Sequence, residues 1–273
     1  MAIMETQASS LGLGLSVIII TKNEATHIAE CLASVSFADE IIVLDSGSTD
    51  GTVELARKFG ALVHQSLDWP GFGPQKNRAL ALATKDWVFS IDADERVTPA
   101  LREEIVATLR APRSSGYAGP RLSEFCGKPI RHSGWWPDLV LRLFRRQSGK
   151  FTDVLVHEAV KLFDGKPGRL HAHLLHYPYP TLDSLLEKNN RYSDEAAKMM
   201  FAEGKRAGLP TIIVHSMWTF IRIYFFRRGF LDGRHGFVLA VTAASGNFLR
   251  YAKLMFLVEA NDRATNKVKD HQS

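Results

Sequence analysis

Continuous apolar runs that alternate with helix-period stripes constrain this chain more than any other feature. LSVIII, at residues 15–20, is apolar apart from one serine, and a strand without polar alternation is one buried on both faces. Ile28, Leu32 and Val35 then recur at offsets of four and three, the single stripe of an amphipathic helix. A second run from Ile41 to Leu44 ends in Asp45 and the turn-forming SGSTDG, and Val53, Ala56 and Phe59 mark the next helix. ALVHQ reads as a short third strand, and PQKNRALALATKD as a helix leading into a fourth strand from Trp87 to Ile91. Strand-helix-strand order with short connections predicts an α/β fold built on a mainly parallel, Rossmann-like sheet flanked by helices.

The strand ends are where the chemistry gathers. Neither GxGxxG nor GxxxxGK[ST] occurs, so the usual backbone cradles for dinucleotide and nucleoside triphosphate are missing. Instead Lys22, Asn23 and Glu24 follow the first strand, Asp45 closes the second, and Asp92 and Asp94 follow the fourth. Ligands of open α/β sheets sit at this edge. Paired Asp oxygens suit Mg2+ or Mn2+, and such an ion neutralises charge developing on a departing diphosphate. An Asp-x-Asp alone also marks turns and helix starts, and Thr98-Pro99 opens the helix PALREEIVATLR. Asp45 with Ser46, Ser48 and Asp50 equally suits a side-chain-bonded turn.

With 273 residues, 45% of them hydrophobic and 23% charged, the chain can hold one large α/β domain with appendages. Its two cysteines, Cys31 and Cys126, form no paired spacing, and MAIMETQASSLGLGL lacks a signal-peptide pattern, so a reducing cytoplasm is expected. The net charge is +5, and LRLFRR, IRIYFFRR and GRHGF concentrate arginine among aromatics beyond residue 140. Such clusters serve nucleic acid, phosphorylated substrates or anionic membranes. Nucleic acid is disfavoured because these cations accompany an acidic strand edge.

SVIIITKNEATHIAECLASV, DEIIVLDSGSTDGTVELA, QKNRALALA and WVFSIDADE resemble, in order and at the usual spacing, the signatures of family 2 GT-A glycosyltransferases. The resemblance covers about the first 110 residues and implies a sheet that binds a UDP-sugar and an inverting transfer. It places Thr21, Asn23 and Glu24 around the nucleoside, Asp45 on the uracil ring, and Lys76 and Asn77 on the nucleotide-sugar. It makes Asp94, with Asp92, the holder of Mg2+ or Mn2+.

The second half must supply the acceptor side and a base. The alternating pattern from Val154 to Val160 in GKFTDVLVHEAVKLF puts His157 and Glu158 on opposite faces of a strand. The resemblance favours Glu158 as the base, with His157 as the alternative or its support. The set His171, His173 and His176 has no cysteine or carboxylate to complete a structural zinc site. The stretch HYPYPTLDSLLEKNNRY resembles the element that follows the base in this subgroup. On that basis His176 is a further metal or diphosphate contact, and Lys188 and Arg191, three apart on one helical face, face the substrate phosphates. Arg142, Arg145, Arg146 and Arg234 are candidates to meet an acidic, phosphorylated core or the donor diphosphate.

TIIVHSMWTFIRIYFFRRGF is too polar for a bilayer span and reads as an interfacial helix, with arginines reaching head groups. GFLDGRHGF with the His-Glu and His-Tyr elements most resembles bacterial enzymes that add glucose in β-1,4 linkage to the first heptose of the lipopolysaccharide inner core. The expected organisation is a nucleotide-sugar-binding half at 1–110, an acceptor half with the base at 111–180, and a helical membrane-contacting region at 181–273. The expected partners are a UDP-sugar, a lipid-linked saccharide and the inner face of the cytoplasmic membrane. A polyprenyl phosphate or peptide acceptor, or a non-catalytic nucleotide-sugar-binding scaffold, is the alternative.

Overall fold

The computed structural model describes residues 14–152 and 159–270, the last seven as backbone only. Its contacts divide the chain into two units. One runs to Leu122 and resumes from Pro137 to Tyr177; the other takes Ser123–Trp136 and the chain from Pro178 onward.

The first unit is a sheet with helices on both faces. In chain order it holds β1 (Leu15–Thr21), α1 (Ile28–Ser34), β2 (Glu40–Asp45), α2 (Thr52–Lys58), β3 (Leu62–Gln65), α3 (Phe72–Leu82), β4 (Trp87–Ser90), β5 (Glu95–Val97) and α4 (Pro99–Arg110). There follow β6 (Gly116–Phe125), β7 (Lys128–Pro129), β8 (Asp138–Arg145), β9 (Gly149–Phe151), β10 (Val160–Leu162), β11 (Gly168–Arg169) and β12 (Leu174–Tyr179); β7 and the ends of β6 and β12 belong to the second unit. The strand order is β3-β2-β1-β4-β8-β6-β12-β5. The parallel half is β3-β2-β1-β4, as the strand-helix alternation predicts. Beyond it β8 runs antiparallel to both β4 and β6, and β12 antiparallel to β5, so the whole sheet is mixed.

Alternation along the strands explains the continuous apolar runs. Val17, Ile19, Val43 and Phe89 face a core with Ile28, Leu32, Ala56, Leu101 and Ile105 of the helices. Ile18, Ile42, Leu44 and Val88 face the opposite core, with Ala79 of α3, Phe144 and Phe151. Each such side chain contributes about 1.5–3 kcal/mol on burial, so polar neighbours are excluded from both faces. The register also pairs Thr21 with Asp45, which brings the ends of β1 and β2 to one edge. At α4 the expected start is in place: Thr98 Oγ1 accepts from the Leu101 N–H at 3.2 Å, with Pro99 in the first turn.

The second unit is helical, with α5 (Leu182–Ala202), α6 (Leu209–Ile221), a π-turn (Arg222–Phe226), a 3-10 turn (Gly229–Asp232) and α7 (Arg234–Asp270). Phe125, Ile130, Leu185 and Leu239 form its core. The loop from Arg131 to Trp136 is pinned by the buried Asp232. That carboxylate accepts from the Arg131 and His132 N–H groups at 3.1 Å each and from Ser133 Oγ at 2.9 Å, and it meets His132 Nδ1 at 3.1 Å.

Candidate active site

The edge formed by the ends of β1, β2 and β4 is assembled by short polar side chains. Asn23 adopts a left-handed φ of 58°, a conformation asparagine tolerates better than most residues. Its N–H donates to Ser48 Oγ at 2.8 Å and its Oδ1 accepts from the Thr49 N–H at 2.9 Å. The Glu24 N–H donates to Thr52 Oγ1 at 2.8 Å, and the Ala25 N–H to Asp50 Oδ2 at 3.0 Å. These bonds lock the segment after β1 to the turn after β2, so TKNEA and DSGSTDGT build one surface. Thr21 Oγ1 is buried with no hydrogen-bond partner among the described residues.

Asp45 is fully buried, and its carboxylate shapes the turn. Oδ2 accepts from the N–H groups of Gly47 and Ser48 at 3.0 Å each, and Oδ1 from Ser48 Oγ at 2.5 Å. A carboxylate has about four acceptor positions, and the turn fills three of Asp45's.

Asp92 and Asp94 have different surroundings. Asp92 Oδ1 lies 2.8 Å from Lys76 Nζ and Oδ2 lies 2.6 Å from Arg142 Nη2. Burial opposes its charge, but Arg142 and Lys76 outweigh that and hold the carboxyl well below the usual carboxylate range. Arg142 Nη2 also lies 2.5 Å from Glu95, which is fully buried and accepts in addition from Arg121 at 3.1 Å and from the Asp92 N–H at 2.9 Å. Asp94, by contrast, faces His176 Nε2 at 3.4 Å, and its carbonyl accepts from the Tyr177 N–H at 2.9 Å. Pairing of His176 with Glu95 across β12 and β5 sets this meeting.

Glu24 reports the field these acids create. Its carboxyl is pushed up from 4.5 to about 7, first by burial and then by Asp94, Asp50 and Asp92, with only Arg96 opposing. The proton is therefore held more tightly in the folded chain than in the unfolded one. Its contribution is fully present below pH 4.5 and is lost as pH rises through 7. Because the side chain is partly solvated, screening reduces the effect to the order of 1 kcal/mol. Thermal melts in metal-free buffer at pH 5 and pH 8 should show Glu24→Gln losing that pH-dependent drop; an unchanged drop assigns it elsewhere.

Asp94 and His176 supply a carboxylate and an imidazole at a site of concentrated negative charge, while Lys76 and Arg142 are taken up by Asp92. This donor set fits Mn2+ or Mg2+. Among the described residues no three His, Cys, Asp or Glu side chains gather around one point, so the remaining ligands would be water and diphosphate oxygens.

The other residues singled out from the sequence have the following places and partners within the protein. Lys76, 3% exposed, neutralises Asp92 and sits over the Phe151 ring at 5.8 Å. Asn77 donates to the Phe151 carbonyl at 3.0 Å and accepts from its N–H at 2.9 Å, which ties α3 to β9. Arg145 stacks on Trp87 at 4.8 Å and Arg146 donates to the Lys85 carbonyl at 3.0 Å. Lys188 and Arg191 are on α5 and Arg234 on α7, all in the second unit. His157 and Glu158 lie outside the described residues. The network of Arg142, Glu95 and Arg121 was missed in the sequence; the charge alternation of LRLFRR is its one trace.

The Asp-x-Asp and its facing histidine stand at the strand-end edge where ligands of open α/β sheets sit. Residues 16–163 match the family described as Glycosyl transferase family 2, and this chain belongs to that family, with the GT-A α/β fold. It is 33% identical to an uncharacterized glycosyltransferase of Rickettsia conorii over 90% of this chain and 91% of that protein. It is 34% identical to the lipopolysaccharide core biosynthesis glycosyltransferase LpsC of Rhizobium meliloti over 89% of this chain and 92% of that one. Among solved structures, S. aureus TarS 1-349 in complex with UDP-GlcNAc is 14% identical and covers 90% of this chain and 92% of that one, with a TM-score of 0.48. Glucosyl-3-phosphoglycerate synthase of Mycobacterium tuberculosis, with Mn2+, UDP and glucosyl-3-phosphoglycerate, is 30% identical over 40% of this chain and 44% of that one, with a TM-score of 0.35. The chain is a glycosyltransferase.

Proposed function

We propose that this chain is an inverting hexosyltransferase that moves glucose from UDP-glucose to an inner-core heptose of lipopolysaccharide. The observation that carries the donor half is the meeting of Asp94 with His176 at an edge where burial, and then neighbouring acids, push Glu24 up to about 7. Asp94 and His176 would hold Mg2+ or Mn2+, and the ion supplies charge neutralisation for the departing diphosphate. Thr21, Asn23 and Glu24 border the nucleoside, and Asp45 offers its remaining acceptor position to the uracil. Asp92 acts through its ion pairs, which keep the strand end rigid. Glu158 removes the acceptor hydroxyl's proton, supported by His157. The acceptor assignment is supported by the likeness to LpsC.

Location at the inner face of the cytoplasmic membrane is supported by the second unit. Among the described residues, one helical segment, Leu209–Phe226, is long and apolar enough to cross a membrane by length and composition, which corrects the expectation that this stretch is too polar for a span, and only 11% of it is buried. Arg222, Arg227 and Arg228 are exposed beside Trp218, Phe225 and Phe226. That arrangement suits an interfacial helix with cations at the head groups. Sedimentation with phosphatidylglycerol vesicles, reduced about tenfold in Arg227→Ser/Arg228→Ser, is the expected result; equal sedimentation with neutral vesicles counts against it.

The function is tested with purified protein, a panel of UDP-hexoses, Mn2+ or Mg2+, and three acceptors: heptose-terminated core, polyprenyl phosphate and peptide. UDP-glucose with the core should give product, and Glu158→Gln should reduce turnover roughly 10²-fold or more while leaving UDP binding unchanged. Product on polyprenyl phosphate alone would replace the acceptor assignment. A residual rate in Glu158→Gln equal to wild type would move the base to His157.

A further inference from the structure

The second unit contains a cavity of about 160 Å³ that the donor site leaves without a task. Trp135, Tyr179, Lys188, Asn189 and Tyr192 line it, with Leu239 among the apolar residues behind them. Leu185, Lys188, Asn189 and Tyr192 fall at offsets of three, four and seven on α5, so one helical face builds most of the wall. Tyr179, Lys188 and Tyr192 all come from the HYPYPTLDSLLEKNNRY stretch that the sequence analysis singled out.

Three properties limit what such a cavity takes. The first is its size: a cavity of about 150 Å³ holds one benzene-sized ring, whereas sites for larger organic ligands run to about 300–1,000 Å³. The cavity is on the scale of one ring rather than of a whole nucleotide. The second is its aromatic wall. The Trp135 and Tyr179 rings are 5.8 Å apart and tilted by 45°, which gives a ligand two flat apolar surfaces at an angle. Aromatic faces of this kind receive the C–H face of a pyranose while hydroxyl groups stay with polar partners.

The third is charge. Lys188 Nζ lies 4.9 Å from the centre of the Tyr179 ring, and no carboxylate pairs with it among the described residues. The more deeply placed cations of this chain are treated differently: Lys76, Arg121 and Arg142 all sit against acids. A half-buried ammonium on an aromatic wall is matched by an anion from the ligand. The wall is also fixed in advance. Asn189 Nδ2 donates to the Thr242 carbonyl of α7 at 2.9 Å, and a Cβ at Gly246 would clash with the Asn189 side-chain amide, so glycine there lets α5 and α7 close.

We propose that this cavity binds a single sugar ring carrying a phosphate or carboxylate, with Lys188 engaging the anion and Trp135, Tyr179 and Tyr192 receiving the ring. The proposal rests on the reading of the chain as a transferase to a core saccharide and deepens it: the cavity would hold a charged unit of the acceptor.

The test is a titration of the full chain by ligand-observed NMR, without donor or divalent ion, using glucose 6-phosphate, glucuronate, glucose and inorganic phosphate. The two anionic sugars should bind saturably and at least tenfold more tightly than glucose or phosphate. Lys188→Met should bring them down to the level of glucose, Lys188→Arg should keep most of the affinity, and Trp135→Ala should weaken all three sugars. Equal affinity for phosphate and glucose 6-phosphate would overturn the proposal, as would full binding by a folded Lys188→Met or no binding of either anionic sugar. The ranking of the four probes on the unaltered protein decides the matter even if a variant fails to fold. Donor and metal are absent, so a failure of the UDP-glucose assignment leaves this result standing. Transfer by Lys188→Met with an unchanged acceptor KM would instead remove the cavity from the acceptor site alone.

Discussion

An Asp94→Ala variant is expected to lose at least about 10³-fold in kcat/KM for transfer, or ~4 kcal/mol of transition-state stabilisation. Asp94 is the acid of the DAD sequence that faces His176, at 3.4 Å, whereas Asp92 meets Lys76 and Arg142. The loss should not come from unfolding. The Asp94 side chain is 29% exposed, and removing it takes away one of the charges that push the Glu24 carboxyl up. A melt of the apo protein at pH 8 should therefore be unchanged or slightly higher. Binding of Mn2+ to the free protein, read by electron paramagnetic resonance, should weaken in parallel. Full activity in a folded Asp94→Ala protein would place the diphosphate elsewhere.

The largest expected effect on stability is at Arg142. Its Nη2 serves two acids at once, Asp92 at 2.6 Å and the fully buried Glu95 at 2.5 Å. Both partners raise its pKa against burial. In Arg142→Met the carboxylate of Glu95 keeps Arg121 and the Asp92 N–H but loses its closest cation, and removing one member of a buried ion network typically costs about 3–5 kcal/mol. For a protein of this size that is roughly a 10 °C fall in Tm. The double variant Arg142→Met/Glu95→Gln should recover part of the loss, because no unpaired charge is then buried. A single variant that melts within a degree or so of wild type would mean that Arg121 and the Asp92 N–H suffice for Glu95.

The parts of this structure that could be read from the chain are those set by local pattern. The apolar runs at 15–20 and 41–44 had to be buried strands, and the Thr98-Pro99 cap fixed the start of α4, because each signal lies within a few residues of its effect. Asp45 was legible twice over, as a strand-end acid and as a turn former, and the structure displays the turn. What could not be read depends on antiparallel pairing between distant segments. Arg142 reaches Asp92 across 50 residues because β8 pairs with β4, so a cation expected to await an anionic partner already has two. The same holds for Lys76 and Asn77, at a helix start that looked open: one meets Asp92, the other the Phe151 backbone 74 residues on. His176 was identified through resemblance, and β12 pairing with β5 is what brings it to Asp94.

Asp232 has a consequence for how the molecule is made. It holds Arg131, His132 and Ser133, which precede it by 101, 100 and 99 residues. At a synthesis rate of about 5–20 residues per second, that segment leaves the ribosome roughly 5–20 s before its anchor exists. Phe125 and Ile130, destined for the helical core, are without Leu239 for the same interval. The nascent chain thus carries a sticky stretch through the middle of translation, a natural place for a chaperone to act, and a stop codon placed before residue 232 would leave that stretch permanently uncovered.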